Sequence, residues 1–419
     1  MSAPLLIRNG RVIDPASGLD QLADVHVVDG KIAAIGPDLQ ATGATVIDAT
    51  GQLVVPGLVD MHTHAYWGGA LLGVNADKIG PRSGVTTWVD CGTSGAATIQ
   101  GFYHHVIAPS RLRILPFLNL SYIGLTAAGN LSVDVGELFD WRFADLGEIK
   151  RVAAGFADQI IGIKLRASNN ACGDNGAIVL PLAREAADML GVPLMIHVGT
   201  APPTIDEVMP FLRQGDILTH IYNPTIGGGV LDRHGKLRAC VREAMARGVK
   251  MDVGHGGSSF SYRVAEQAMG QGLVPDAIST DLHAHNIDGP VFDLPTVMAK
   301  FMALGMSLHE VLRLTTATPA DVVRQPHLGR LAVGGEADIA LFRADDAPVQ
   351  LVDSLGEQRQ APFILRNSLT ICRGQIVAPV DDGRTEGRHY LSRGKGHPRR
   401  LTASQTCPKV HYRTNEVQI

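Results

Sequence analysis

The chain opens with short apolar runs broken by turn signals. Leu5-Leu6-Ile7, Arg11-Val12-Ile13 and the runs at 24–28, 31–35 and 45–47 are separated by Asn9-Gly10 and Asp29-Gly30, dipeptides that suit tight hairpins. The same strand grammar returns late, at 329–342, 362–365 and 369–377. Strands at both ends, with a different pattern between them, predict a small β-sandwich domain built from 1–55 and 329–381.

Residues 56–328 alternate apolar runs with stretches able to form helices. Strands are predicted at about 58–64, 86–92, 113–121, 160–166, 193–198, 216–221, 249–254 and 276–281, and helices at 182–190 and 263–271. Eight strands in this alternation give an α/β fold, a (β/α)8 TIM barrel over 56–328. The connection between the third and fourth strands is long enough for an extra helical insertion. From Asp382 the chain turns basic and aperiodic, so 382–419 reads as a flexible tail rather than an anion-binding arm.

Composition narrows the class. With 419 residues there is room for one barrel of about 250 residues and a smaller domain. An apolar content of 45% with 19% charged residues fits a large α/β enzyme and excludes a disordered or fibrous chain. The net charge of -4 argues against a nucleic-acid partner. No uncharged run is long enough to span a bilayer, so no membrane partner is expected. The start lacks a basic segment followed by a long apolar core, and the five cysteines lack paired spacing. A cytoplasmic, homo-oligomeric enzyme with a small-molecule substrate is the expectation.

The run Val54-Val55-Pro56-Gly57-Leu58-Val59-Asp60-Met61-His62-Thr63-His64 is where chemistry enters. Side chains alternate faces along a strand, so His62 and His64 point the same way and can grip one metal ion through neutral imidazoles. Two histidines satisfied by hydrogen bonds at a strand end are the alternative. Lys164, His197, His220 and Asp281 each stand at or near the C-terminal end of a later apolar run, the active-site face of such a barrel.

In these residues the chain resembles the amidohydrolase superfamily of binuclear metal hydrolases, which holds dihydroorotase, hydantoinase, urease and the deacetylases. Ile163-Lys164-Leu165-Arg166 and Asp252-Val253-Gly254-His255-Gly256-Gly257 look closest to its amidohydrolase/deacetylase, dihydroorotase-like branch. The resemblance implies two divalent ions, with zinc the first choice. His62, His64 and Asp281 would hold the more buried ion, and His197 and His220 the more exposed one. Lys164, carboxylated by carbon dioxide, would bridge them as a carbamate; an internal salt bridge at the barrel mouth is the alternative. Metal binding brings the pKa of water towards about 7 and so supplies hydroxide. Asp281 would also carry the proton to the leaving group.

Other residues compete for substrate contact. Arg166 shares the face of Lys164 and suits a substrate carboxylate, or else a salt bridge at the rim. Tyr222 and His255 follow the sixth and seventh strands and could touch substrate or merely hold loops. Cys91 reads as a buried structural thiol, and one of His283 and His285 as a residue that orients Asp281. The loop 254–261 is the expected substrate-selecting element.

The expected reaction is hydrolysis of an amide or ester of a small acylated carboxylic acid, an N-acyl amino acid or an O-acyl hydroxy acid. A cyclic amidase of dihydroorotase or hydantoinase type, and a non-catalytic binding module, are the alternatives. Dihydroorotases generally follow their second histidine with an arginine, whereas His64 is followed by Ala65-Tyr66-Trp67-Gly68. Tyr66 with Trp67 suggests an apolar wall instead.

Overall fold

The computed structural model describes residues 3–126, 128, 135–345 and 347–380. The basic segment 382–419 lies outside them. Seven parallel strands form one curled sheet in chain order: Leu58–Thr63, Val85–Cys91, Arg113–Asn119, Gly162–Ala167, Leu194–Val198, Ile217–Thr219 and Lys250–Asp252. Leu58–Thr63 and Val85–Cys91 are buried along their whole length. Such burial on both faces explains why these segments read as continuous apolar runs rather than alternating ones.

The eighth predicted strand departs from expectation. Residues 277–282 lie between the two edge strands, but join them through single parallel bridges, Asp252 with Ala277 and Thr63 with Leu282. The amide of Asp281 donates to the His62 carbonyl at 2.7 Å, and that of His64 to the Leu282 carbonyl at 3.0 Å. Regular pairing fails because polar side chains take over. Thr280 Oγ1 donates to Asp60 Oδ2 at 2.6 Å and Ser279 Oγ to Asp252 Oδ1 at 2.6 Å, while Asp281 turns to a φ of 50°.

Helices cover the outside of the sheet. Gly176–Leu190 packs on Gly162–Ala167 and stops at Gly191, whose φ of 68° is the left-handed end a glycine gives readily. Tyr262–Met269 occupies the helix expected after the seventh strand. Trp141–Phe143 and Leu146–Ala153 form part of the insertion between the third and fourth strands. Among the described residues no helix is long and apolar enough to cross a membrane.

A second, mixed sheet draws on both ends of the sequence. Leu5–Asp14, Leu19–Val28, Lys31–Gly36, Thr45–Asp48 and Leu53–Pro56 come from the first part, and Ile339–Ala344, Leu365–Cys372 and Gln375–Ile376 from the last. Its seam is the antiparallel pairing of Leu53–Pro56 with Ile339–Ala344. Ile7, Val12, Val25, Val54, Ile339 and Ile371 meet in one apolar cluster there. A separate cluster under the parallel sheet collects Met61, Val89, Phe117, Met195, Ile217 and Ala277. Met195 Sδ comes within 3.3 Å of Lys164 Nζ, so this cluster is the floor of the site described next.

Candidate active site

The strand ends of the parallel sheet surround a cavity of about 370 Å³. His62, His64, Lys164, His197 and Asp281 line it together with Arg166. His62, His220 and Asp281 each offer a ligand atom within 4.8 Å of the others. Lys164 Nζ is 3.1 Å from His62 Nε2, and Asp281 Oδ1 is 3.1 Å from His64 Nε2. The rings of His197 and His220 meet edge to face with centroids 4.3 Å apart. Residues more than two hundred positions apart in the chain thus converge on one point.

Each of three imidazoles is held by its Nδ1 and presents Nε2 inward. His62 Nδ1 donates to Thr219 Oγ1 at 2.9 Å, and that hydroxyl donates to Asp252 Oδ2 at 2.6 Å. His64 repeats the device through Thr93 Oγ1 at 2.8 Å, whose hydroxyl donates to Asp90 Oδ2 at 2.7 Å. His220 Nδ1 donates to the Gly254 carbonyl at 2.6 Å. Such partners fix the tautomer that leaves an Nε2 lone pair for a metal.

The donor set fits divalent cations. His220 Nε2 is buried without a hydrogen-bond partner, which is costly for a polar atom unless an ion takes the lone pair. Burial pulls His62 and His197 well below the ordinary histidine range and His220 down to about 4, so the rings are neutral, as ligands must be. Burial also lowers Lys164. Neither of its two hydrogen-bond partners, His62 Nε2 and Met195 Sδ, is a carboxylate, so the expected alternative of a structural salt bridge is not what the geometry displays.

Backbone shape matters as much as side-chain type. His220 has a φ of 68° and Asp281 one of 50°, left-handed values uncommon outside glycine; His220 directly follows the strand Ile217–Thr219, and Asp281 lies between the two single bridges of 277–282. Gly254 and Gly256, with φ of 46° and 58°, face them. A Cβ on Gly254 would lie 2.8 Å from His220 Nδ1, and one on Gly256 2.7 Å from Asp281 Oδ2. Only glycine allows the loop this close.

The remaining sequence candidates divide. Arg166 lines the cavity and also pairs through NH1 with Glu137 Oε2 at 3.1 Å, so it is both a wall residue and half of a rim salt bridge. Tyr222 is buried, with its hydroxyl donating to the Leu273 carbonyl at 2.8 Å. His255 is buried against Phe260 and bonded to Lys300. Tyr66 stacks on Phe102 with centroids 4.6 Å apart. None of these three lines the cavity; Leu72 and Leu125 supply its apolar wall instead. Cys91 is buried with its thiol donating to the Met61 carbonyl at 3.3 Å, as a structural thiol would be.

Asn170, Thr200 and Thr225 on the wall, and Glu137 behind Arg166, did not stand out in the sequence. A signal existed for two of them. Asn170 and Thr200 follow the fourth and fifth strands by only a few residues, where barrel enzymes place substrate contacts. Gly199, His283, Gly257, Ser258 and Ser259 complete the lining, the last three from the loop expected to select substrate.

Comparison with known proteins agrees with this geometry. The model of the amidohydrolase family matches residues 45–91 and 292–378. A deacetylase of Agrobacterium fabrum is 39% identical over 381 residues, covering 90% of this chain and 92% of that protein. The crystal structure of a dihydroorotase superposes with a TM-score of 0.83 at 37% identity, covering 90% of this chain and 98% of that one. The crystal structure of an adenine deaminase gives a TM-score of 0.82 at 33% identity, with coverage of 90% and 99%. The chain is therefore a hydrolytic enzyme of the amidohydrolase family.

Proposed function

We propose that the protein hydrolyses the amide or ester bond of a small acylated carboxylic acid, an N-acyl amino acid or an O-acyl hydroxy acid. The observation that carries this proposal is the placement of Arg166 on the wall of the cavity that holds His62, His64, Lys164, His197 and Asp281. The pair with Glu137 fixes the guanidinium there through NH1, and a guanidinium has five N–H donors with which to meet a carboxylate. Leu72 and Leu125 leave an apolar surface for the acyl group or side chain. The 39% identity to a protein named deacetylase supports the same class.

His62, His64 and Asp281 would hold one divalent cation and His197 with His220 a second, zinc suiting this set of donors. When bound, such ions lower the pKa of water and polarise the scissile carbonyl. Lys164, whose ammonium is disfavoured by burial, is suited in its neutral form to attack carbon dioxide through its Nζ lone pair, losing one proton and becoming a carbamate with oxygen donors. Asp281, 3.1 Å from His64 Nε2, accepts the proton released by the attacking water and returns it to the leaving nitrogen or oxygen. The wider architecture in this proposal is a (β/α)8 barrel completed by residues 277–282, with the mixed sheet belonging to a β-sandwich.

The likeness to a solved dihydroorotase supports ring opening as the second possibility. Measuring kcat/KM on matched N-acetyl amino acids, O-acetyl hydroxy acids and dihydroorotate with zinc-loaded protein decides between them. Acyl hydrolysis should exceed dihydroorotate opening; efficient ring opening with no acyl hydrolysis would overturn the proposal.

A further inference from the structure

We infer that Lys300 is a positioning residue that ties together the two loops walling the cavity. It sits in the helix Leu294–Ala303 with no exposed surface, among Val297, Ala299 and Phe301, where an apolar residue would be the ordinary occupant. Its Nζ donates to His255 Nε2 at 2.7 Å and to the Pro290 carbonyl at 2.8 Å. These partners belong to different loops.

His255 begins the loop that brings Gly257, Ser258 and Ser259 to the cavity. Its Nδ1 donates to the Gly256 carbonyl at 2.9 Å, so Nε2 carries the lone pair that Lys300 takes, and its ring lies on Phe260 at 4.5 Å. Pro290 closes the segment that begins with His283. Within that segment Asn286 donates to the Asp281 carbonyl at 2.8 Å and accepts from the His283 amide at 2.9 Å. One amine therefore reaches the loop of Ser258 and Ser259 on one side and the loop that carries Asp281 and His283 on the other. Burying an amine is costly without hydrogen bonds, and the two it makes go to residues behind the cavity, on the loops that carry its lining residues.

The inference rests on this cavity being the substrate site, so its test includes a measurement made without substrate. Lys300→Met keeps the volume and removes the donors; His255→Phe keeps a ring on Phe260 and removes the acceptor nitrogen. In the metal-loaded protein, hydrogen exchange at 255–259 and 283–292 should quicken about tenfold in either variant while the parallel strands keep their protection. With the best acylated substrate, each variant should raise KM about tenfold with kcat within about threefold, and the double variant should be no worse than either single one. Unchanged exchange in both loops, exchange raised equally across the strands, or additive effects on KM would overturn the assignment. If Lys300→Met does not fold, His255→Phe alone carries the exchange test on both loops. A wild type that hydrolyses no acylated acid would count against the proposed function, and the exchange result would still stand.

Discussion

Thr219 Oγ1 stands 2.9 Å from the Nδ1 of His62, with 157 positions of chain between the two residues. The hydroxyl accepts from the ring and donates to Asp252, so its single proton settles which nitrogen of His62 faces the cavity. Thr219→Val keeps the shape and removes the relay. Zinc affinity should fall about ten- to a hundredfold, as is usual when a partner behind a metal ligand is lost. Metal titration against a competing chelator measures this, and unchanged affinity would deny the relay its role.

Asp281→Asn should keep the fold and lose about a hundredfold to ten-thousandfold in kcat, because an amide cannot accept the proton of the attacking water. Metal content must be measured alongside turnover, since Asp281 is also a ligand candidate. Full turnover in a metal-replete variant would remove the proton-carrying role.

Replacing Arg166 alone would strand Glu137, whose side chain is 2% exposed. The double variant Arg166→Met with Glu137→Gln removes the pair together. It should raise KM for acidic substrates about tenfold or more, the range of a hydrogen bond to a charged group, while a neutral ester of the same acid loses much less. Equal losses on the acid and its neutral ester would show that Arg166 does not read the carboxylate.

Burial pulls the ammonium of Lys300 down to about 7, with Asp353 and Asp293 opposing the shift. An unfolded lysine titrates near 10.4, so between about pH 7 and 10 the unfolded chain binds the extra proton and stability rises with pH. Below about 7 both states are charged and the burial penalty is present in full. The stability of Lys300→Met relative to wild type should therefore be most favourable at low pH and decline from pH 7 to 10 in denaturant titrations. A neutral amine still has two protons to donate, so the loop contacts persist across this range.

The metal-ligand candidates were legible because each is a chemically distinctive side chain at the end of an apolar run. Position and type there point to the same place. The three aromatic and histidine candidates that miss the cavity follow those runs just as closely, but packing claims them: Phe102 takes Tyr66, the Leu273 carbonyl takes Tyr222, and Lys300 takes His255. Nothing local separates a ring that faces substrate from one that fills a gap behind it. The segment 276–281 reads as a regular eighth strand, whereas 277–282 joins its neighbours only through single bridges, because alternation says nothing of the bonds Ser279 and Thr280 make to Asp252 and Asp60. Lys300 and Glu137 act on residues 45 and 29 positions away, beyond any periodic signal.

Leu53–Pro56 runs directly towards the histidine strand, and its other neighbour, Ile339–Ala344, is translated almost three hundred residues later. On the ribosome the early strands must therefore wait with one edge uncovered until nearly the whole enzyme has been made, and exposed strand edges invite pairing with other chains. A nonsense mutation between Asp281 and Ile339 would leave every metal-ligand candidate encoded, yet deprive the strand leading to His62 and His64 of its lateral support. Overproduction of such fragments should yield aggregates rather than a weakened enzyme.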